Sequence, residues 1–234
     1  MQDKIYYLTQ ELLDNDAYFQ EVICANKEVN YYWSDDWSEE FYIKLAYSGF
    51  ISTTYDTKDA LLLLPELQFD YAVLDFKDLH VSKKVQKLFD SDKYIFSQNT
   101  HFDDVLISID KLHKHNWLKG KYIELLKALH VKNEQRDDFK VMSFEVTCGQ
   151  TNELVAGEVG YKIGDVYTSL SGFSLRGKEY NNVGNLQMVL LAKHLEQNGY
   201  EFWNLGHPNM EYKKKLGAKV YTRDEFLERF INNF

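Results

Sequence analysis

Residues 185–205, NLQMVLLAKHLEQNGYEFWNL, carry a helix and then a strand. Asn185 to Gly199 has the texture of a helix closed by its glycine, and Tyr200 to Leu205 reads as a buried strand. Three extended segments precede this unit: FKVMSFEVTC from Phe139, ELVAGEVGYKI from Glu153 after a GQTN turn, and DVYTSLSGFS after Gly164. Behind it lie a Gly206–His207–Pro208 turn, the short basic helix MEYKKKLG, the strand AKVYT and a last helix opened by Thr222. Residues 138–234 therefore run strand–strand–strand–helix–strand–helix–strand. That order predicts hairpins feeding a βαβ crossover, an α+β (α/β) mixed sheet flanked by helices.

The rest of the chain is less regular. Residues 3–14 read as an amphipathic helix. Ser38 is placed to cap EEFYIKLAYS, with Gly49 as its stop, and ALLLLPELQFDYAVLDF reads as two extended segments with Pro65 at an edge or break. Asp78 is the expected cap of LHVSKKVQKLF, Thr100 and Asp103 form an expected capping box for HFDDVLISIDKL, and WLKGKYIELLKALHV gives a further helix. The expected division is a smaller α+β region over 1–78 and a larger unit over 79–234, helical over 79–132 and sheet-bearing over 138–234.

The 234 residues, 44% hydrophobic, can bury a substantial core. The net charge of −9 is uneven: residues 1–78 hold 5 Lys/Arg against 16 Asp/Glu, residues 79–132 hold 10 against 6, and the remainder 12 against 14. An acidic total argues against general nucleic-acid binding, while the basic middle leaves room for local phosphate contacts. Two cysteines, Cys24 and Cys148, make neither a disulfide framework nor a zinc cluster, and His113 and His115 lack zinc spacing. No run approaches the roughly 20 apolar residues of a membrane span, and the acidic start MQDKIYYLTQELLDND is unlike a signal peptide. A soluble, cytoplasmic protein without a metal is the expectation.

The C-terminal order, with YKKKLGAKV near its end, resembles the Gcn5-related N-acetyltransferase (GNAT) fold. In that fold a Gln/Arg-x-x-Gly-x-Gly/Ala loop holds the coenzyme A pyrophosphate. The nearest counterpart, Asn181–Leu186, lacks the leading Gln/Arg and the small last residue, so coenzyme A is not the expected cofactor. A closer resemblance, from about Glu39 onward, is to the leucyl/phenylalanyl-tRNA–protein transferases. Six ordered blocks carry it: FYIKLAYSGFIS; AVLDFKDLHVSKKVQKL through Leu79, His80, Val81, Ser82 and Lys83; WLKGKYIELLKALH through Trp117, Leu129 and His130; LVAGEVGYKIGDVY; AKHLEQNGYEFWN; and LGAKVYTRDEFL, including Leu216, Gly217, Ala218, Arg223, Phe226 and Leu227.

The resemblance implies transfer of Leu or Phe from aminoacyl-tRNA to the N-terminal amine of a protein, within an N-degron pathway of protein catabolism. Aminoacyl-tRNA and a protein N-terminus are the implied partners, and no separate cofactor is implied. Three functional segments depart from the family pattern. Its Asp-Cys-Gln strand end is Asn204, Leu205 and Gly206; its Gly-Glu-Ser-Met-Phe segment is Ser169–Phe173, with Leu170 in place of the carboxylate; and its paired tryptophans fall near Leu64–Gln68. Asparagine can hold a hydrogen bond but is no base.

The candidate catalytic residues are therefore Asn204 and, as a substitute titratable group, His207, whose bland reading is a solvated turn histidine. Gly157, Glu158, Ser171, Phe173, Ser174 and Gly206 are candidate substrate-binding residues. Glu158 would recognise a cationic N-terminus if it faces the cavity, or lie on the solvent face of its strand. Lys83, Lys84, Lys87 and Arg176 are candidate tRNA contacts. Lys213, Lys214 and Lys215 are expected to form a solvated helix face. Two competing functions stand beside transfer: a catalytically inactive module that binds protein N-termini or tRNA, and a GNAT acyltransferase with another donor.

Overall fold

A computed structural model describes residues 5–233. Strands in chain order are β1 (Tyr6–Tyr7), β2 (Tyr32–Trp33), β3 (Ile51–Asp56), β4 (Leu61–Glu66), β5 (Asp70–Leu74), β6 (Tyr94–Gln98), β7 (Phe139–Cys148), β8 (Leu154–Ile163), β9 (Val166–Ser174), β10 (Phe202–Gly206) and β11 (Lys219–Thr222). Helices are α1 (Gln10–Asp14), α2 (Asp16–Tyr18), α3 (Glu39–Tyr47), α4 (Lys83–Phe89), α5 (Phe102–Leu112), α6 (Lys121–Val131), α7 (Val183–Gln197), α8 (Glu211–Leu216) and α9 (Arg223–Ile231). Seven strands form one sheet in the order β11–β5–β10–β9–β8–β7–β6, with only β9 and β10 parallel. Helix α7 connects that parallel pair and packs on one face, while α5 and α6 cover the other. This is the GNAT-like mixed sheet flanked by helices that the pattern predicted.

The strands over Phe139–Ser174 form because β-branched and aromatic residues recur and a hairpin turn separates the first two. The first two, β7 and β8, are buried along almost their whole length, because helices cover both sides, while β9 is only partly buried from Ser169 to Gly172. At the C-terminus Thr222 and Glu225 complete the reciprocal cap of α9. Ser38 caps α3 as expected, its hydroxyl accepting from the Phe41 amide.

Several expectations need correction. The expected helix over 3–14 is a two-residue strand and a shorter helix from Gln10, and residues 3–4 lie outside the described residues. The cap of α4 is Ser82 rather than Asp78, because the intervening chain is drawn out to let the His80 amide donate to Leu216 O. Helix α5 starts after His101 with no side-chain cap. Residues 94–98, for which the sequence gives no extended segment, form an edge strand on β7.

The boundary expected after residue 78 lies beyond β5, which is a strand of the large sheet. Strand β5 lies between β10 and β11, so residues 70–74 are integral to the large sheet. The remaining N-terminal strands pair only among themselves. Among the described residues no helix is long and apolar enough to cross a membrane.

Arg223 fastens the N-terminal region to the sheet. Its guanidinium is almost completely buried and donates to the carbonyls of Gln68 (3.1 Å), Leu67 (2.6 Å), Ile23 (3.3 Å), Cys24 (3.2 Å) and Asn26, above the Phe69 ring. A buried cation without a carboxylate is tolerable only because so many oriented carbonyls replace its water. Lysine offers a point charge with three donors and cannot match that fork. Arg223→Lys is therefore expected to lose about 3 kcal/mol of unfolding free energy. Urea denaturation checks this; a loss below about 0.5 kcal/mol would contradict it.

Candidate active site

Strands β9 and β10 share only three rungs: Val166–Phe202, Tyr167–Trp203 and Thr168–Asn204. Beyond the third they separate, and a cavity of about 830 Å³ opens between them. Two local features produce the parting. Asn204 Nδ2 donates to Thr168 Oγ1 (3.3 Å) and its Oδ1 accepts from the Gly206 amide (2.9 Å), so its side chain finishes the last rung and turns β10 away. On the other strand the register slips between Val159–Ser171 and Gly160–Ser169, leaving Leu170 as an extra residue in a bulge. Gly160 permits this, since a Cβ there would stand 2.2 Å from Thr168 O.

Asn204 is consequently a buried structural residue, 2% exposed, and does not line the cavity. Its neighbour Leu205 does, from the opposite face of the strand. His207 also stays outside. Its Nε2 lies 3.8 Å from Glu66, a buried carboxylate raised in pKa by burial and held by Asn30 Nδ2 at 2.7 Å. Gly206 adopts φ +70° beside Ile51 and Gln68 and is likewise absent from the lining.

Among the candidate substrate-binding residues, Glu158, Ser171, Phe173 and Ser174 line the cavity, as does Arg176 at its exposed end. Gly157 lies under α5, where a Cβ would meet Val105 Cγ2 at 2.9 Å; it is a spacer for that helix. Lys83, Lys84 and Lys87 are exposed on α4, which packs against α7, and none of them reaches the cavity.

The open question about Glu158 is resolved by its surroundings. The side chain faces the cavity on the α7 side of the sheet and is only 6% exposed. Oε1 accepts from Ser169 Oγ (2.6 Å) and Tyr167 OH (3.1 Å), and Oε2 accepts from Gln187 Nε2 (3.3 Å). Trp203 Nε1 in turn donates to Ser169 Oγ (2.8 Å), which fixes that hydroxyl. All these donors are neutral, so they only partly offset the lost hydration, and burial pushes the carboxyl up to about 7.

The expected solvated face of α8 also needs correction. Lys214 and Lys215 are exposed, but Lys213 is 5% exposed and lines the cavity. Its Nζ donates to Leu205 O (2.5 Å) and His207 O (2.6 Å). Burial lowers its pKa to about 8, and the Glu158 charge works in the opposite direction. The cavity thus holds a carboxyl and an amine that both titrate near neutrality, the pattern of a site that moves protons. No composition or spacing signal separated Lys213 from the two lysines after it. Among the described residues no group of three His, Cys, Asp or Glu side chains is placed to hold a metal ion.

The family model for leucyl/phenylalanyl-tRNA protein transferase matches residues 73–231, beginning within β5. The chain belongs to this family. Curated relatives include the leucyl/phenylalanyl-tRNA–protein transferase of Sulfurimonas denitrificans, 26% identical over 161 residues that span 67% of this chain and 64% of that protein. The corresponding protein of Flavobacterium johnsoniae is 24% identical over 190 residues, 79% of this chain and 82% of its own length. The chain thus spans just under two thirds of the first and about four fifths of the second. Among solved structures, FemX superposes with a TM-score of 0.50 at 11% identity, over 84% of this chain and 71% of that one, a likeness of fold.

The raised carboxyl makes a stability prediction for this family member. A folded-state pKa near 7 against the ordinary 4.5 means that the folded form holds more protons between those values. Any stability from keeping Glu158 protonated is present below about pH 4.5 and lost as pH rises through about 7. Glu158→Gln, permanently neutral, escapes that loss. The melting temperature of the variant relative to wild type should rise between pH 5 and pH 8, by the equivalent of up to about 3 kcal/mol. A pH-independent difference would show that Glu158 titrates as an ordinary surface carboxylate.

Proposed function

We propose that this protein is an aminoacyltransferase that joins the aminoacyl group of an aminoacyl-tRNA, leucyl or phenylalanyl in the first instance, to the N-terminal amine of a protein. The observation that carries the proposal is the buried Glu158 carboxyl on the wall of the cavity between the parted strands. The donor ester is already activated, so the enzyme must bring an amine to the carbonyl and take one proton from it. A carboxyl with a pKa near 7 is matched to that proton transfer at neutral pH, and its ionised form also suits an approaching ammonium. It does the work from β8 that the family's carboxylates do from Leu170's and Asn204's positions.

The cavity suits both partners. Leu112, Trp117, Leu170 and Phe173 give it an apolar wall for a leucyl or phenylalanyl side chain, and Ser171 and Ser174 add hydrogen-bonding groups. Arg176 at its exposed end, with Lys83, Lys84 and Lys87 further away on α4, would meet phosphates of the acceptor arm. Aminoacyl-tRNA is then the only activated co-substrate, and neither coenzyme A nor a metal enters. On this reading the product is a destabilised protein N-terminus in an N-degron pathway of the cytoplasm.

The alternative of an inactive binding module draws on the replaced Asn204 and Leu170. The presence of Glu158 and Lys213 in the cavity favours chemistry instead. Incubation with labelled Leu-tRNA or Phe-tRNA and peptides beginning with Arg or Lys should give labelled product. Its single-turnover rate should rise with pH through about 7, as Glu158 ionises. Tight binding of both substrates without product would favour the binding module.

A further inference from the structure

The Lys213 ammonium is an unusual group to bury. It has three N–H donors, and two go to Leu205 O and His207 O, the carbonyls at the end of β10 and in the turn that follows. Among the described residues these carbonyls are its only hydrogen-bond partners, and no carboxylate lies within ion-pair distance. Two neutral acceptors on one side of a tetrahedral ammonium leave its third N–H on another side, and Lys213 borders the cavity. Glu158 is on the β8 wall of the same space, near enough for its charge to act on Lys213 but without a direct contact. The ring centre of Tyr212 lies 6.0 Å from Nζ.

A buried cation with one unspent donor, beside a cavity wide enough for a substrate, is built to meet negative charge. In aminoacyl transfer negative charge develops at one place, the carbonyl oxygen of the ester as it becomes tetrahedral. We propose that Lys213 is a catalytic residue whose ammonium hydrogen-bonds that oxyanion, with the β10 carbonyls holding it in position. This rests on the aminoacyl-transfer reading given above.

The step balances without any further reagent. The acceptor nitrogen forms a bond to the ester carbon, and the carbonyl π pair moves to oxygen, where Lys213 stabilises it. Glu158 takes the proton lost by nitrogen. The intermediate collapses, the bond from carbon to the ribose oxygen breaks, and that oxygen receives the proton carried by Glu158. An amide and a free ribose hydroxyl result, with Glu158 and Lys213 in their starting states. The fixed carbonyl partners matter because a donor aimed in advance costs no reorganisation as the charge appears.

The test compares two adenosine-linked phenylalanine analogues by calorimetry. One is a 3′-amide, neutral and planar at the former ester. The other is a 3′-phosphonate ester, anionic and tetrahedral at the same place. Wild type should bind the phosphonate more tightly than the amide by about tenfold or more. Lys213→Met should retain amide binding and lose that preference, and its single-turnover transfer rate should fall about 100-fold. Should Lys213→Met fail to fold, the nitrogen chemical shift of the wild-type Lys213 ammonium is read instead, and it should move when the phosphonate binds and not when the amide binds.

Equal binding of the two analogues by wild type, a preference that survives in Lys213→Met, or an unmoved ammonium signal would each overturn the proposal. Amide binding and transfer that persist in those cases would leave the aminoacyl-transfer reading standing. Binding of neither analogue, with no transfer from any charged tRNA, would remove both.

Discussion

The third and last rung between β9 and β10 is the constraint on which the site depends. Thr168 and Asn204 close it, and the cavity opens beyond it. A parallel pair that continued would fill the space with ladder hydrogen bonds, leaving no room for a substrate. Asn204 stops the ladder by spending its amide on Thr168 and its carbonyl oxygen on Gly206, so both ends of its side chain are used in closing the rung. The bulge at Leu170 then turns β9, and Ser169, Tyr167 and Glu158 come together on the α7 face. The replaced strand-end residue therefore has a physical role in shaping the cavity, and the proton-handling groups lie around it.

The polar groups of the cavity are held by elements distant in the chain. Glu158 comes from β8, Gln187 from α7, Trp203 from β10 and Lys213 from α8. None would be kept in place by local structure alone. Burial against the two faces of the sheet supplies the rigidity, and Arg223 adds a tie from α9 to the carbonyls of residues 23–26 and 67–68. Rigid second partners such as Trp203 on Ser169 matter because a carboxyl with a shifted pKa keeps that shift only while its surroundings stay dry.

Much of the fold was legible because its signals are local. The extended runs and turn over Phe139–Ser174, the helix expected from Asn185 and found from Val183, and the Thr222 cap each depend on residues within one element. The insertion of β5 between β10 and β11 was not legible, since strand order is set by contacts across more than a hundred residues. Edge strand β6 carries no comparable signal: none of its five residues is fully buried, so no apolar face marks it in the sequence. The site divides the same way. Strand periodicity gave Glu158 two faces to choose from, and only the packing of α7 chose one. Lys213 sits in a run of three lysines that differ only in which direction a short helix turns them, and the approach of the β10 carbonyls selects the first.

The central claim is that the proton-accepting carboxylate of this site lies on β8 at Glu158 and not at the strand end occupied by Asn204. Single-turnover transfer rates of Glu158→Gln and Asn204→Asp, measured side by side with the same charged tRNA and peptide, test it most directly. The account predicts a loss of about 100-fold or more for Glu158→Gln and no gain for Asn204→Asp. A faster Asn204→Asp together with an unimpaired Glu158→Gln would contradict it.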